Sequence, residues 1–357
     1  MRDREGPPPQ RMSSLVGVIS IPLLLIPLVL SAQDTAPVPL ATFFALADPD
    51  PSLRKESEDR IFGDWESSSL PMVLEVAMFS GRERQLLDRL EAATGERFDG
   101  ELDSALRYLW SLDFQAHPKY AEFKKILYQQ IDPRFAAYFE GAEKGARIRL
   151  DEIRWGGVRR DGIPPLDRPP MIDAGAASYL DDADVVFGVE VGGDARAYPK
   201  RILAWHEMFK DVVGSVPVTG AYCTLCGSMI LYESIHDGIH HELGTSGFLY
   251  RSNKLMYDHA TESLWSTITG EPVVGRLAGK GIRLAPRAVV TTTWKAWRTL
   301  HPKTQVLSLG TGYFRDYSEG AAYREYFATD DLMFTVPRID SRLANKDEVL
   351  ALRFAPG

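Results

Sequence analysis

Tyr222-Cys223-Thr224-Leu225-Cys226-Gly227 holds both cysteines of the 357-residue chain, two residues apart. The residues on either side, 215–222 and 228–234, are apolar and β-prone. They predict two short strands with the Cys-x-x-Cys-Gly in or beside the turn of a hairpin. Two thiols on one turn admit three chemistries: metal ligation, cycling between dithiol and disulfide, or a static bridge.

Around the cysteines, residues 148–357 read as strands. Val185 to Val191 and Ala195 to Tyr198 flank Gly192-Gly193, a hairpin signal. Pro199 to Phe209 predicts a helix, and a further hairpin is expected around Asp237-Gly238. On the other side, residues 37–145 carry apolar positions at helical spacing, such as Leu86, Leu87 and Leu90, then Leu102, Leu106 and Leu109. The fold class is therefore α+β: an N-terminal helical bundle followed by a mostly antiparallel β-rich domain. The expected division is 1–32 as signal peptide or N-terminal anchor, 33–147 as helical domain and 148–357 as the β-rich domain carrying the Cys pair. A faint repeat of the Val186 to Gly192 pattern at Val349 to Ala355 ends at Gly357 without its partner strand, so the chain is expected to be truncated there.

Composition is ordinary for a globular protein, 45% hydrophobic and 25% charged. The net charge of -8 with no basic patch argues against nucleic acid as a partner. Arg2, Arg4 and Arg11 precede an apolar run from Leu15 to Leu30, followed by Ser31 and Ala32. The run is short for a membrane span and contains Pro22 and Pro27, so it predicts export to the periplasm or the extracellular space, with cleavage near Ser31 or Ala32. An uncleaved N-terminal anchor is the alternative and would be the chain's only membrane contact. Either leaves the thiols in an oxidising compartment.

Arg196-Ala-Tyr-Pro199, Trp205-His-Glu207, the cysteine stretch, Tyr250-Arg-Ser-Asn253, Met256-Tyr-Asp258, Ser263-Leu-Trp265 and Gly270-Glu271 occur in that order. From about residue 148 onward the chain resembles the uncharacterised bacterial family called domain of unknown function 3179. Its helical half is similar to the region often joined to that domain. The resemblance implies a shared fold and export, and members usually continue past the equivalent of Gly357. It implies no activity, substrate or cofactor.

The chemistry of the pair is then weighed on its neighbours. Strand sequence follows Cys226, so neither thiol sits at a helix N-terminus, and thioredoxin-type redox chemistry loses weight. Cys-x-x-Cys-Gly on a turn is similar to half of a zinc or rubredoxin knuckle. No second Cys pair exists, so a metal must recruit other ligands. Among the seven histidines, His206 is the favoured third ligand, with Glu207 in support and zinc or copper as the metal. His117 is expected at the surface or as a cap. Tyr250, Asn253, Tyr257, Asp258 and Trp265 are expected to line a pocket beside the turn, or else to pack as a β-meander. No phosphate loop or other nucleotide-binding motif is present, so no nucleotide cofactor is expected. The reading is thus an exported metal-binding protein, in one form a metalloenzyme, acting on an unknown small molecule or protein. The alternatives are a thiol–disulfide oxidoreductase outside the thioredoxin type, and a structural or binding module with a static Cys clip.

Overall fold

The structure, a computed structural model, describes residues 37–350. The apolar run at Leu15 to Leu30 and most of the second repeat copy lie outside the described residues. Among the described residues no helix is long and apolar enough to cross a membrane.

The N-terminal part is helical, and its helices begin and end where side-chain chemistry requires. Helix Pro51–Gly63 places Pro in its first turn, where a missing N–H costs nothing, and the Asp50 carboxylate accepts from the Ser52 amide at 2.8 Å. Leu70–Ser80 is apolar almost throughout and buried from Leu70 to Ala77. Glu83–Thr94 buries only the stripe Leu86, Leu87 and Leu90 and stops at Gly95, φ 76°. Leu102–Ser111 and Tyr120–Tyr128 follow. His117 is buried rather than exposed: its Nε2 lies 3.0 Å from the Val38 carbonyl, and Nδ1 accepts from the Lys119 amide.

The remainder is β-rich and mostly antiparallel, arranged as three five-stranded sheets and a two-stranded ribbon. The helix-facing sheet runs Ile153–Trp155, Leu243–Tyr250, Asn253–Asp258, Leu264–Ser266, Pro272–Val274, all antiparallel. The cysteine sheet runs Pro286–Arg287, Ser228–Glu233, Val216–Cys223, Met208–Val213, Leu166–Asp167. The third runs Val290–Thr293, Val185–Val191, Asp194–Pro199, Gln305–Leu307, Met171–Asp173. Two pairings are parallel, Leu166–Asp167 with Met208–Val213 and Gln305–Leu307 with Asp194–Pro199. Neither is readable from local sequence, because each joins segments separated by a long crossover. Val191 pairs with Asp194 across Gly192 and Gly193, whose φ values of 59° and 85° are those a two-residue hairpin turn requires.

Packing does not stop where the helices do. Phe248 of the helix-facing sheet sits among Tyr128, Phe135, Tyr138 and Phe139, with ring centroids 4.8–5.9 Å apart. One apolar cluster runs from Phe43 through those helices to Leu255, Leu264 and Val274. Inside it the fully buried Lys124 ammonium donates to Glu75 Oε1 at 2.6 Å and to the Ile153 carbonyl at 2.9 Å.

Candidate thiol site

The third sheet feeds the site through a short helix. Strand Asp194–Pro199 runs into helix Lys200–His206, which ends at Glu207 in the left-handed region, φ 55°. That reversal starts strand Met208–Val213, which turns at Gly214-Ser215 and returns as Val216–Cys223. The Tyr222 amide donates to the Glu207 carbonyl at 2.7 Å, pinning the helix end against the cysteine strand. Tyr222 pairs with Met229 and Cys223 with Ser228, so residues 224–227 make the connection. Cys226 and Gly227 donate back to the Cys223 and Thr224 carbonyls, and Gly227 takes φ 60°.

The two sulfurs are in contact at 2.6 Å, and both thiols are free. Their surroundings differ. Cys223 is buried and its thiol is pushed well above the usual range, first by its hydrogen bond to Cys226 and then by burial. Cys226 is exposed, and the Cys223 S–H donated to it lowers its pKa, helped by the Asn253 side-chain amide at 3.2 Å. Beneath them lies a buried charge network. Lys254 Nζ donates to the Glu207 carbonyl at 2.8 Å and the Tyr222 carbonyl at 3.1 Å, and stands 3.4 Å from Glu207 Oε2. Tyr323 donates to Glu207 Oε1 at 2.8 Å. Burial lowers the Lys254 pKa, with Glu207 and Cys223 opposing.

The expected site residues separate into two groups. Cys223, Cys226 and Asn253 come together at the turn, and Glu207 joins them only through the Lys254 network below. The His206 ring spends both nitrogens elsewhere, Nδ1 on the Pro164 carbonyl at 2.9 Å and Nε2 on the Tyr317 hydroxyl at 2.6 Å. The neutral tautomer that donates from Nδ1 satisfies both contacts, and burial lowers its pKa to about 4. His206 is the last helical residue and Glu207 leaves the helix in a left-handed conformation, so the two side chains go to different surroundings: Glu207 to Lys254 and Tyr323, His206 to Pro164 and Tyr317. Among the described residues no three His, Cys, Asp or Glu side chains converge as a metal site.

Tyr257, Asp258 and Trp265 turn into the interior, as the β-meander alternative expects. Tyr257 donates to Asp161 at 2.6 Å, Asp258 receives the Thr261 amide and faces His241 at 3.0 Å, and Trp265 is fully buried. Tyr250 packs against the helical cluster. The cleft that does adjoin Cys226 has a volume of about 300 Å³ and is bordered by Leu225, Arg251 and Ser252 together with residues 326–349.

A family model described as "Protein of unknown function (DUF3179)" matches residues 160–357, more than half of the chain. The chain belongs to the DUF3179 family. No curated protein and no solved structure matches significantly. Every residue of the thiol site, from Glu207 to Tyr323, falls inside the DUF3179 match, and the helices before residue 145 fall outside it. Sequence reasoning missed Lys254 and Tyr323. Lys254 carried a signal, a charge directly before the apolar Leu255, Met256 and Tyr257 in strand Asn253–Asp258, which is buried from Lys254 onward. Tyr323 carried none, since it reaches Glu207 across 116 positions of sequence.

Proposed function

We propose that this DUF3179 protein is a thiol–disulfide oxidoreductase in which Cys226 is the attacking sulfur and Cys223 the resolving one. The observation that carries this reading is the pairing of two unlike cysteines: their sulfurs lie 2.6 Å apart, Cys226 is exposed with the Asn253 amide on its sulfur, and Cys223 is buried. Reactivity follows the thiolate, and an exposed, stabilised thiolate beside a protected partner is the arrangement exchange requires. The exported location expected from the N-terminus would supply disulfides as co-reactants.

The Cys226 thiolate attacks a partner disulfide, forming a mixed disulfide and expelling one partner thiolate. Cys223 gives its proton to that leaving thiolate and attacks Cys226 Sγ. The Cys223–Cys226 bond forms, the mixed disulfide breaks and the second partner thiolate leaves. The pair loses two electrons and the partner disulfide gains two. Glu207, Lys254 and Tyr323 hold a fixed polar floor under the buried sulfur.

The test is a thiol count across a glutathione redox series. Both thiols should vanish together as one intramolecular disulfide, and Cys223→Ser should trap glutathione on Cys226. Purified protein that holds zinc or copper in stoichiometric amount, with both thiols shielded from alkylation until the metal is chelated, would overturn the exchange reading in favour of metal binding. A pair that never reduces would leave the static clip.

A further inference from the structure

Resting on that exchange reading, we infer that the disulfide Cys226 meets belongs to a polypeptide that carries an apolar side chain next to its cysteine, and that the cleft at Cys226 receives this side chain. The cleft has a reactive sulfur in its wall, so its occupant must bring a sulfur. The rest of its lining is mainly apolar, with Leu225, Tyr326, Met333, Phe334, Ile339 and Leu343 around about 300 Å³. That volume lies at the bottom of the range for whole small-molecule sites and suits one large side chain.

The charged groups of the lining, Arg251, Arg338, Asp340 and Asp347, are of both signs. Of the two arginines at the cleft, Arg251 is held by Glu152 through two hydrogen bonds of 2.8 and 2.9 Å. The lip is left apolar and open to solvent: Met333 is 38% exposed, Leu343 46% and Ile339 57%. Contiguous exposed apolar surface beside a reactive group marks a docking site for another apolar surface.

The wall is anchored. Thr335 is buried, accepts from Arg154 at 2.9 Å, donates to Asp103, and receives the Ser252 hydroxyl on its carbonyl at 2.6 Å. Ser252 precedes Asn253, the residue that hydrogen-bonds Cys226, so residues 331–342, the strap that walls the cleft, share one support with the thiol. Among the described residues, no amide from 331 to 342 enters a backbone–backbone hydrogen bond. Apart from Pro337, which has no N–H, and Arg342, whose amide donates to the Asp340 carboxylate at 3.1 Å, this stretch has the extended-backbone donors that a chain lying beside it would use.

The experiment oxidises the reduced full chain with three probes: 2-hydroxyethyl disulfide, the symmetric disulfide of acetyl-Ser-Cys-Ser-amide, and that of acetyl-Leu-Cys-Leu-amide. The leucine peptide should react at least about 10-fold faster than the serine peptide, as expected when one aliphatic side chain is buried per encounter. Met333→Gln and Leu343→Gln, both at solvent-open positions and adding no charge beside the thiolate, should bring the leucine peptide down to the rate of the serine peptide. Equal rates for the two peptides, or variants that slow all three probes alike, overturn the inference while the exchange reading stands. A pair that none of the probes oxidises overturns the exchange reading and this inference with it.

Discussion

Among the described residues two lysine–glutamate pairs are buried, and they do different things. Lys124 and Glu75 meet at 2.6 Å inside the helical cluster, with the rings of Tyr120, Tyr128 and Phe139 around the ammonium at 5.0–5.4 Å. Lys254 and Glu207 meet at 3.4 Å under the cysteine turn, among the Tyr222 carbonyl, the Tyr323 hydroxyl and the Cys223 thiol. Burial lowers the pKa of both lysines. The first pair has no nucleophile within its circle and fastens helix Tyr120–Tyr128 to Leu70–Ser80 and to strand Ile153–Trp155. The second lies beside a thiol whose partner reaches solvent. A buried ion pair by itself says little about function, and the reactive group next to it decides.

The largest effect should come from breaking the first pair. Lys124→Met leaves the Glu75 carboxylate buried without its cation and should cost about 3–5 kcal/mol in urea unfolding, with no change in the rate at which iodoacetamide alkylates Cys226. Lys254→Met should lose stability too and also slow alkylation several-fold at pH 7, because its charge favours the Cys226 thiolate. If both variants slow alkylation equally, the distinction between the pairs fails.

Acid should act through a third buried group. His206 has a folded pKa of about 4 against 6.5 in the unfolded chain, so the unfolded state takes up the proton first. Its contribution is intact above pH 6.5 and falls away as pH drops towards 4, by on the order of 3 kcal/mol. Stability measured against pH should show this slope, and His206→Phe should flatten it. An unchanged slope in the variant would assign acid sensitivity elsewhere.

Between the thiols themselves, Cys226→Ser should cut alkylation about 100-fold, since the remaining Cys223 is both buried and protonated. Cys223→Ser should leave a single thiol that still reacts. Mass spectrometry of the alkylated peptides separates the two, and equal labelling of both cysteines would contradict the asymmetry. The smallest effect is expected for Asn253→Ala. Loss of one amide donor to the thiolate should raise the Cys226 pKa by about one unit, the low end for a hydrogen bond to a charged group because water can replace the amide at this exposed residue, read from the pH dependence of alkylation.

The elements most legible in the sequence were those written in local pattern. The Leu86, Leu87, Leu90 stripe and the Gly192-Gly193 turn each state their structure within a few residues, and the structure has the helix and the hairpin there. Glu207 was legible as a neighbour of the cysteines through chain length alone, because about one return strand separates them. The network around it was not. Lys254 and Tyr323 act through contacts spanning 47 and 116 residues. His206 was chosen for its chemistry, but its partners Pro164 and Tyr317 are likewise distant in sequence. A charge inside an apolar stretch was the one local clue available, present at Glu75 in Leu70–Ser80 and at Lys254 in Asn253–Asp258.

Glu207 closes its helix in a left-handed backbone conformation that costs a non-glycine residue about 1–2 kcal/mol. A programme of thermal hardening would single out this position, since glycine relieves such a cap without altering the backbone. Here that improvement would be self-defeating. Glycine would keep the carbonyl that receives Tyr222 and Lys254, but it would delete the carboxylate shared by Lys254 and Tyr323 and strand an ammonium under the cysteines. A better helix ending and an intact floor for the sulfurs are mutually exclusive at residue 207.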